Sequence, residues 1–199
     1  MDELGLMGFL KTKKEDYFEQ AVRRTIQHAK IREAVIKAYK NIAPLGILEC
    51  PSSSTGKYHP KDENNECGFL LHLLRTAKVA EDLAKAFDLT PFDKDILVGS
   101  AFIHDLTQFT DLKSQNVADL YLRKKLSTKI EHPVTLCKKL RSERRKASCG
   151  EIGQIFGQLA NTVWLHMGRW GPFDSSKAVS YTHLRAHETS LHLVCRLLL

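Results

Sequence analysis

The chain has 199 residues, of which 43% are hydrophobic, 27% charged and 8% aromatic, with 11 glycines and 6 prolines. This is an ordinary globular composition, long enough for one well-buried core, and it excludes disordered, collagen-like and disulfide-scaffold classes. The formal charge of +7 favours a polyanionic partner, although where that charge lies matters more than its sum.

The opening segment, MDELGLMGFLKTKKEDYF, lacks the continuous apolar run of a signal peptide. Nowhere does the chain approach the roughly 20 apolar residues of a membrane helix, so a soluble, cytoplasmic protein is expected. Residues 14–41 place Phe18, Val22, Ile26, Ala29 and Val35 at helical steps with charge between them, which predicts one amphipathic helix. Residues 42–67, IAPLGILECPSSSTGKYHPKDENNEC, break that pattern with Pro, Gly, Ser and Asn. They read as a long connector of the kind that often carries function. The next helix, over 68–87, has an apolar stripe of Phe69, Leu73, Thr76, Val79, Ala80, Leu83 and Phe87, with His72 inside it. Thr90-Pro91-Phe92-Asp93 then supplies an N-cap, a first-turn proline and an acidic third position, predicting a helix from 91 to 106. Its inward positions Ile96, Ser100 and Ile103 lead to His104-Asp105.

Residues 123–146 hold ten Lys/Arg (Arg123, Lys124, Lys125, Lys129, Lys138, Lys139, Arg141, Arg144, Arg145, Lys146) against Glu131 and Glu143. Such a run is either a solvated face or a surface that attracts a phosphate-bearing substrate. No aromatics interleave with it, so a base-stacking platform is not indicated. His132-Pro133 opens a further helix, with the proline in the first turn. From 151, Ile152, Ile155, Phe156, Leu159 and Val163 form a stripe that continues to His166, and Gly168 is a suitable stop. Alternating strand segments and glycine-rich phosphate loops are absent, so the chain reads as all-α, a single helical bundle without internal repeats. Cys50, Cys67, Cys137, Cys149 and Cys195 show no CxxC spacing and are expected to be free thiols.

A lone histidine on an apolar face is usually a satisfied core residue. Here His72, His104 and His166 lie on the inward stripes of three different helices, and His132 lies at the mouth of another. A bundle would bring these imidazoles to one interior place, where a metal ion satisfies groups that are costly to bury without partners. Asp105, next to His104 at a helix end, can reach the same ion or bridge two.

The segments GFLLHLLRTAKVAEDL, AFIHDLTQF, EHPVTLCKKL and WLHMGRWGP, across about 68–172, resemble the HD superfamily of metal-dependent phosphohydrolases. The likeness is to branches with a G-G-L-L-x-H-T helix, an H-D-x-x-K segment and two further histidines, such as 3′ to 5′ exoribonucleases, phosphodiesterases and some relaxase domains. The resemblance implies an HD-type bundle that hydrolyses a phosphoester with metal-activated hydroxide, the substrate being a phosphate-containing small molecule, a nucleotide or a nucleic-acid 3′ end. It implies one or two divalent ions, with His72, His104 and Asp105 as first-site ligands, Asp105 bridging, and His132 and His166 as second-site ligands. On this reading His104 and Asp105 are catalytic. A mixed nitrogen and oxygen shell suits Mn, Fe, Co, Ni or Zn better than Mg. It also makes His59, in the loop before the ligand helix, a candidate neighbour of the phosphate. Lys57, Arg75 and Arg169 are further candidate phosphate clamps; ordinary surface solvation is the alternative for each.

The sequence departs from the family pattern in three places. Cys67 precedes Gly68 where those branches often have a second glycine, and Gln108 stands where they usually have lysine. The family also closes its site with an aspartate on a later helix, and this chain has none after Asp174. The final SYTHLRAHETSLHLVCRLLL, residues 180–199, resembles the peptide produced when a sequencing-library adapter is translated as coding sequence. The expected organisation is therefore an N-terminal helix and connector over 1–67, an incomplete HD-type core over 68–179, and a non-native tail over 180–199. The alternatives to an enzyme are a catalytically inactive HD-type regulatory or nucleic-acid-binding module, and a helical interaction domain whose histidines are packed without metal.

Overall fold

The computed structural model describes residues 14–53, 59–109, 131–147 and 150–164. Among them are six helices: α1 (Lys14–Thr25), α2 (Ala29–Ile42), α3 (Gly68–Ala86), α4 (Pro91–Ile103), α5 (His132–Lys146) and α6 (Glu151–Trp164), with short 3₁₀ turns at Ile47–Glu49 and Lys61–Asn64. The described chain contains no strand, so the all-α expectation holds. No helix among the described residues is long and apolar enough to cross a membrane.

The single helix expected over 14–41 is two helices, broken at Ile26–His28. The cause lies in another element. The buried Asp95 carboxylate of α4 accepts hydrogen bonds from the backbone N–H groups of Gln27 and His28 at 2.8 and 2.7 Å. Arg32 donates to the carbonyls of Ile26 and Gln27 at 3.2 and 3.1 Å, so the bend loses few hydrogen bonds relative to a straight helix. Replacing Asp95 with alanine strands two backbone donors and is expected to cost about 2 kcal/mol, read from the urea midpoint. An unchanged midpoint would mean that the bend is held by other contacts.

Helix α4 sits at the centre of the fold, against α1, α2, α3 and α6. Every residue from Asp95 to Ile103 is buried, as a helix apolar on all sides requires. Its start is the expected one, with Thr90 Oγ1 accepting from the Asp93 N–H at 3.1 Å and Pro91 in the first turn. Helix α3 packs on it and buries Leu70, Leu73, Ala77, Ala80 and Ala84 in the core. The stripe expected for α3 was partly misplaced, because Val79 and Phe87 are 50% and 42% exposed. At about 3.6 residues per turn Val79 falls opposite Leu70, and the alanines, easily overlooked as core formers, mark the true inward face. The stripe of α6 is as expected through Ile155, Phe156, Leu159 and Val163, with Ile152 only partly buried.

One apolar cluster runs from Tyr17 to Val163. Helix α5 packs mainly on α6 and carries the described part of the basic run, with Lys138, Arg141, Arg144, Arg145 and Lys146 exposed and Lys139 partly buried. Its buried Glu143 accepts from Lys146 at 2.6 Å and from Asn41 of α2 at 2.9 Å, tying α5 to the rest of the bundle.

The connector folds back on the start of α3. Ser52 donates its N–H and its hydroxyl to the Glu63 carbonyl at 2.8 and 3.0 Å, and the Phe69 N–H donates to the Cys50 carbonyl at 2.8 Å. This turn requires glycine at 68, because a Cβ there would lie 1.8 Å from the Glu63 carbonyl oxygen. Cys67 just before it takes a left-handed conformation, φ 63°.

Candidate metal centre

His72 projects from the first turns of α3, near the folded connector. His104 caps the C-terminus of the buried helix α4, and Asp105 follows in the turn. His132 is the first residue of α5, placed by a hydrogen bond from the buried Thr107 hydroxyl to its carbonyl at 2.9 Å. His104, Asp105 and His132 are buried, and His72 is partly buried.

Four of the residues expected to form the site therefore meet. His72 Nε2 and His104 Nε2 are 3.2 Å apart. Asp105 Oδ2 lies 3.3 Å from His104 Nε2 and 3.7 Å from His72 Nε2. The other oxygen of the same carboxylate, Oδ1, lies 2.9 Å from His132 Nε2. Asp105 thus faces the His72–His104 pair with one oxygen and His132 with the other.

The partners on the far side of each ring assign the tautomers. His104 Nδ1 is 2.8 Å from the Ala101 carbonyl, which can only accept, so Nδ1 carries the proton. His72 Nδ1 is 3.2 Å from Glu63 Oε2, with the same consequence. With Nδ1 protonated on both rings, the two Nε2 atoms face one another and a carboxylate oxygen, an arrangement that repels unless a cation or a shared proton lies among the three atoms. The donor set His72, His104 and Asp105 fits a divalent metal of the borderline class. Burial alone would raise the Asp105 carboxyl, but His104 and His132 outweigh it and hold the group well below the usual carboxylate range. Burial would likewise lower His104, yet adjacent Asp105 and the Ala101 carbonyl raise it.

Glu63 is the residue that sequence reasoning missed. Its Oε2 accepts from both His72 Nδ1 and His59 Nδ1 at 3.2 Å, and its Oε1 from Arg75 at 3.1 Å. Burial would raise its carboxyl, but these three cationic or donor groups bring it down to about 2. His59 is accordingly packed edge-on against His72, with ring centroids 4.9 Å apart. Arg75, a candidate phosphate clamp, has its guanidinium engaged with Asp62 as well as Glu63. Gln108 donates to the Ser52 carbonyl at 2.8 Å, while its buried Oε1 has no hydrogen-bond partner among the described residues. The expected ligand His166, the phosphate candidates Lys57 and Arg169, and the 180–199 tail lie outside the described residues.

No family model, curated protein or solved structure matches the chain.

Proposed function

We propose that this chain is a divalent-metal-dependent phosphohydrolase of the HD type, acting on a phosphoester in a small molecule or a nucleic acid. One observation carries the reading: two imidazole Nε2 atoms and a carboxylate oxygen converge with the histidine protons held on the far side of each ring. A divalent ion bound there would lower the pKa of water and stabilise charge on phosphoryl oxygens. The chain's own residues supply the frame. Ionised Asp105 turns one oxygen to the His72–His104 pair and the other to His132, so it can serve two adjacent positions at once. The Ala101 carbonyl and Glu63 hold the two rings in the tautomers that leave Nε2 available.

The test is hydrolysis of 4-nitrophenyl phosphate and bis(4-nitrophenyl) phosphate by protein reconstituted with Mn²⁺, Co²⁺ or Zn²⁺. Turnover that disappears with a chelator and in His104→Ala is the expected result. Metal uptake without turnover of either ester would favour the inactive, regulatory or nucleic-acid-binding module. That second reading has its own support in Gln108, whose amide is spent on the connector where the related branches place a lysine.

A further inference from the structure

We infer that Glu63 is a positioning residue for the metal centre, acting through His72; the inference rests on the metal-centre reading above. Glu63 lies in a 3₁₀ turn of the connector, yet only 2% of it is exposed, far less than is usual for a glutamate. Burying that carboxylate is costly unless every oxygen is satisfied. Here both are satisfied, and each by a group that belongs to the site or braces it. Oε1 takes the Arg75 guanidinium, which grips Asp62 as well, so the acceptor is anchored to α3 from one side. Oε2 takes Nδ1 of His72 and of His59.

The backbone is fixed just as firmly. The Glu63 carbonyl receives two hydrogen bonds from Ser52 and sits in the space left by the missing side chain of Gly68, four residues before His72. Glu63, His59 and His72 also satisfy the distance requirement for a second cation site. The Arg75 guanidinium 3.1 Å from Oε1 already supplies the positive charge there, and His72 Nδ1 cannot both donate its proton to Glu63 and bind an ion. The carboxylate is therefore assigned to orienting His72: it keeps the proton on Nδ1 and presents Nε2 toward His104 and Asp105.

Two measurements on the purified full chain test this. The first is Co²⁺ affinity and stoichiometry by titration calorimetry. Glu63→Gln is expected to weaken binding about 10- to 100-fold without changing the number of ions bound. Arg75→Gln, which leaves Glu63 in place but removes its brace, should weaken binding by a smaller factor; its partly exposed side chain makes it the more readily folded of the two variants. The second is the tautomer of His72 in metal-free protein, read from two-bond proton–nitrogen correlations of the imidazoles. The wild-type ring should be protonated at Nδ1, and Glu63→Gln should shift it toward a mixture with Nε2–H, which a merely structural loss would not do. Wild-type affinity and an unchanged tautomer in Glu63→Gln would overturn the assignment while leaving the metal centre intact. Loss of one of two bound ions would overturn it in favour of a second cation site. Failure of the wild-type protein to take up metal would overturn the metal-centre reading and this assignment together.

Discussion

Asp105→Ala protein, passed through gel filtration after loading with Mn²⁺, Co²⁺ or Zn²⁺, is expected to emerge without bound metal, whereas the wild-type chain retains it. The carboxylate is the only anionic group in the His72–His104–Asp105 donor set and also faces His132. Its removal leaves the imidazoles of that set without the carboxylate that would balance a divalent ion. Elemental analysis of the eluted protein checks the outcome, and metal content equal to wild type would sink the site. The same substitution acts on the metal-free fold. Asp105 is held ionised by His104 and His132 against the opposing effect of its burial, and those rings lose their anion when it is cut back. Cutting back a buried carboxylate that accepts from imidazoles costs about 3 kcal/mol, which thermal unfolding in the presence of a chelator would register.

Gly68→Ala should be nearly as damaging, although the residue touches no ligand atom. The added Cβ would meet the Glu63 carbonyl oxygen at 1.8 Å, and a backbone atom pinned by two hydrogen bonds from Ser52 has little freedom to retreat. An overpacking cost of about 3 kcal/mol is expected, at the upper end of the usual range. Relief by displacement of the 61–64 turn would carry Glu63 away from His72 and lower metal affinity as well. Denaturant unfolding and calorimetric titration on one preparation measure both effects. A variant with wild-type stability and affinity would mean that the connector docks with more tolerance than its packing implies.

Local signals in the sequence carried the helices well. Thr90 and Pro91 mark the start of α4 because capping is decided within four residues, and the inward stripe of α6 is set by spacing alone. His72, His104, Asp105 and His132 were also legible, since an unusual residue on an apolar face stands out from its neighbours. Glu63 did not stand out. It lies in KDENNE, among other polar residues with no period, and only the folding of the connector onto α3 separates the buried Glu63 from the exposed Asp62 and Glu66. The nearest available hint was its place four residues after His59 and nine before His72. Arg75 shows the converse. Its position one turn beyond His72 made it resemble a phosphate clamp, while the carboxylates that engage it come from the non-periodic segment.

The bend between α1 and α2 has a consequence for how the chain acquires its shape. The groups that bend are at Gln27 and His28, but the acceptor that makes bending worthwhile is Asp95, 68 and 67 residues further along. Until α4 has docked, the amphipathic pattern of 14–41 favours an uninterrupted helix, so the early chain carries a local preference at odds with its final form. The bend is thus a non-local feature, in which the final form of 14–41 depends on a carboxylate from the central helix rather than on its own pattern.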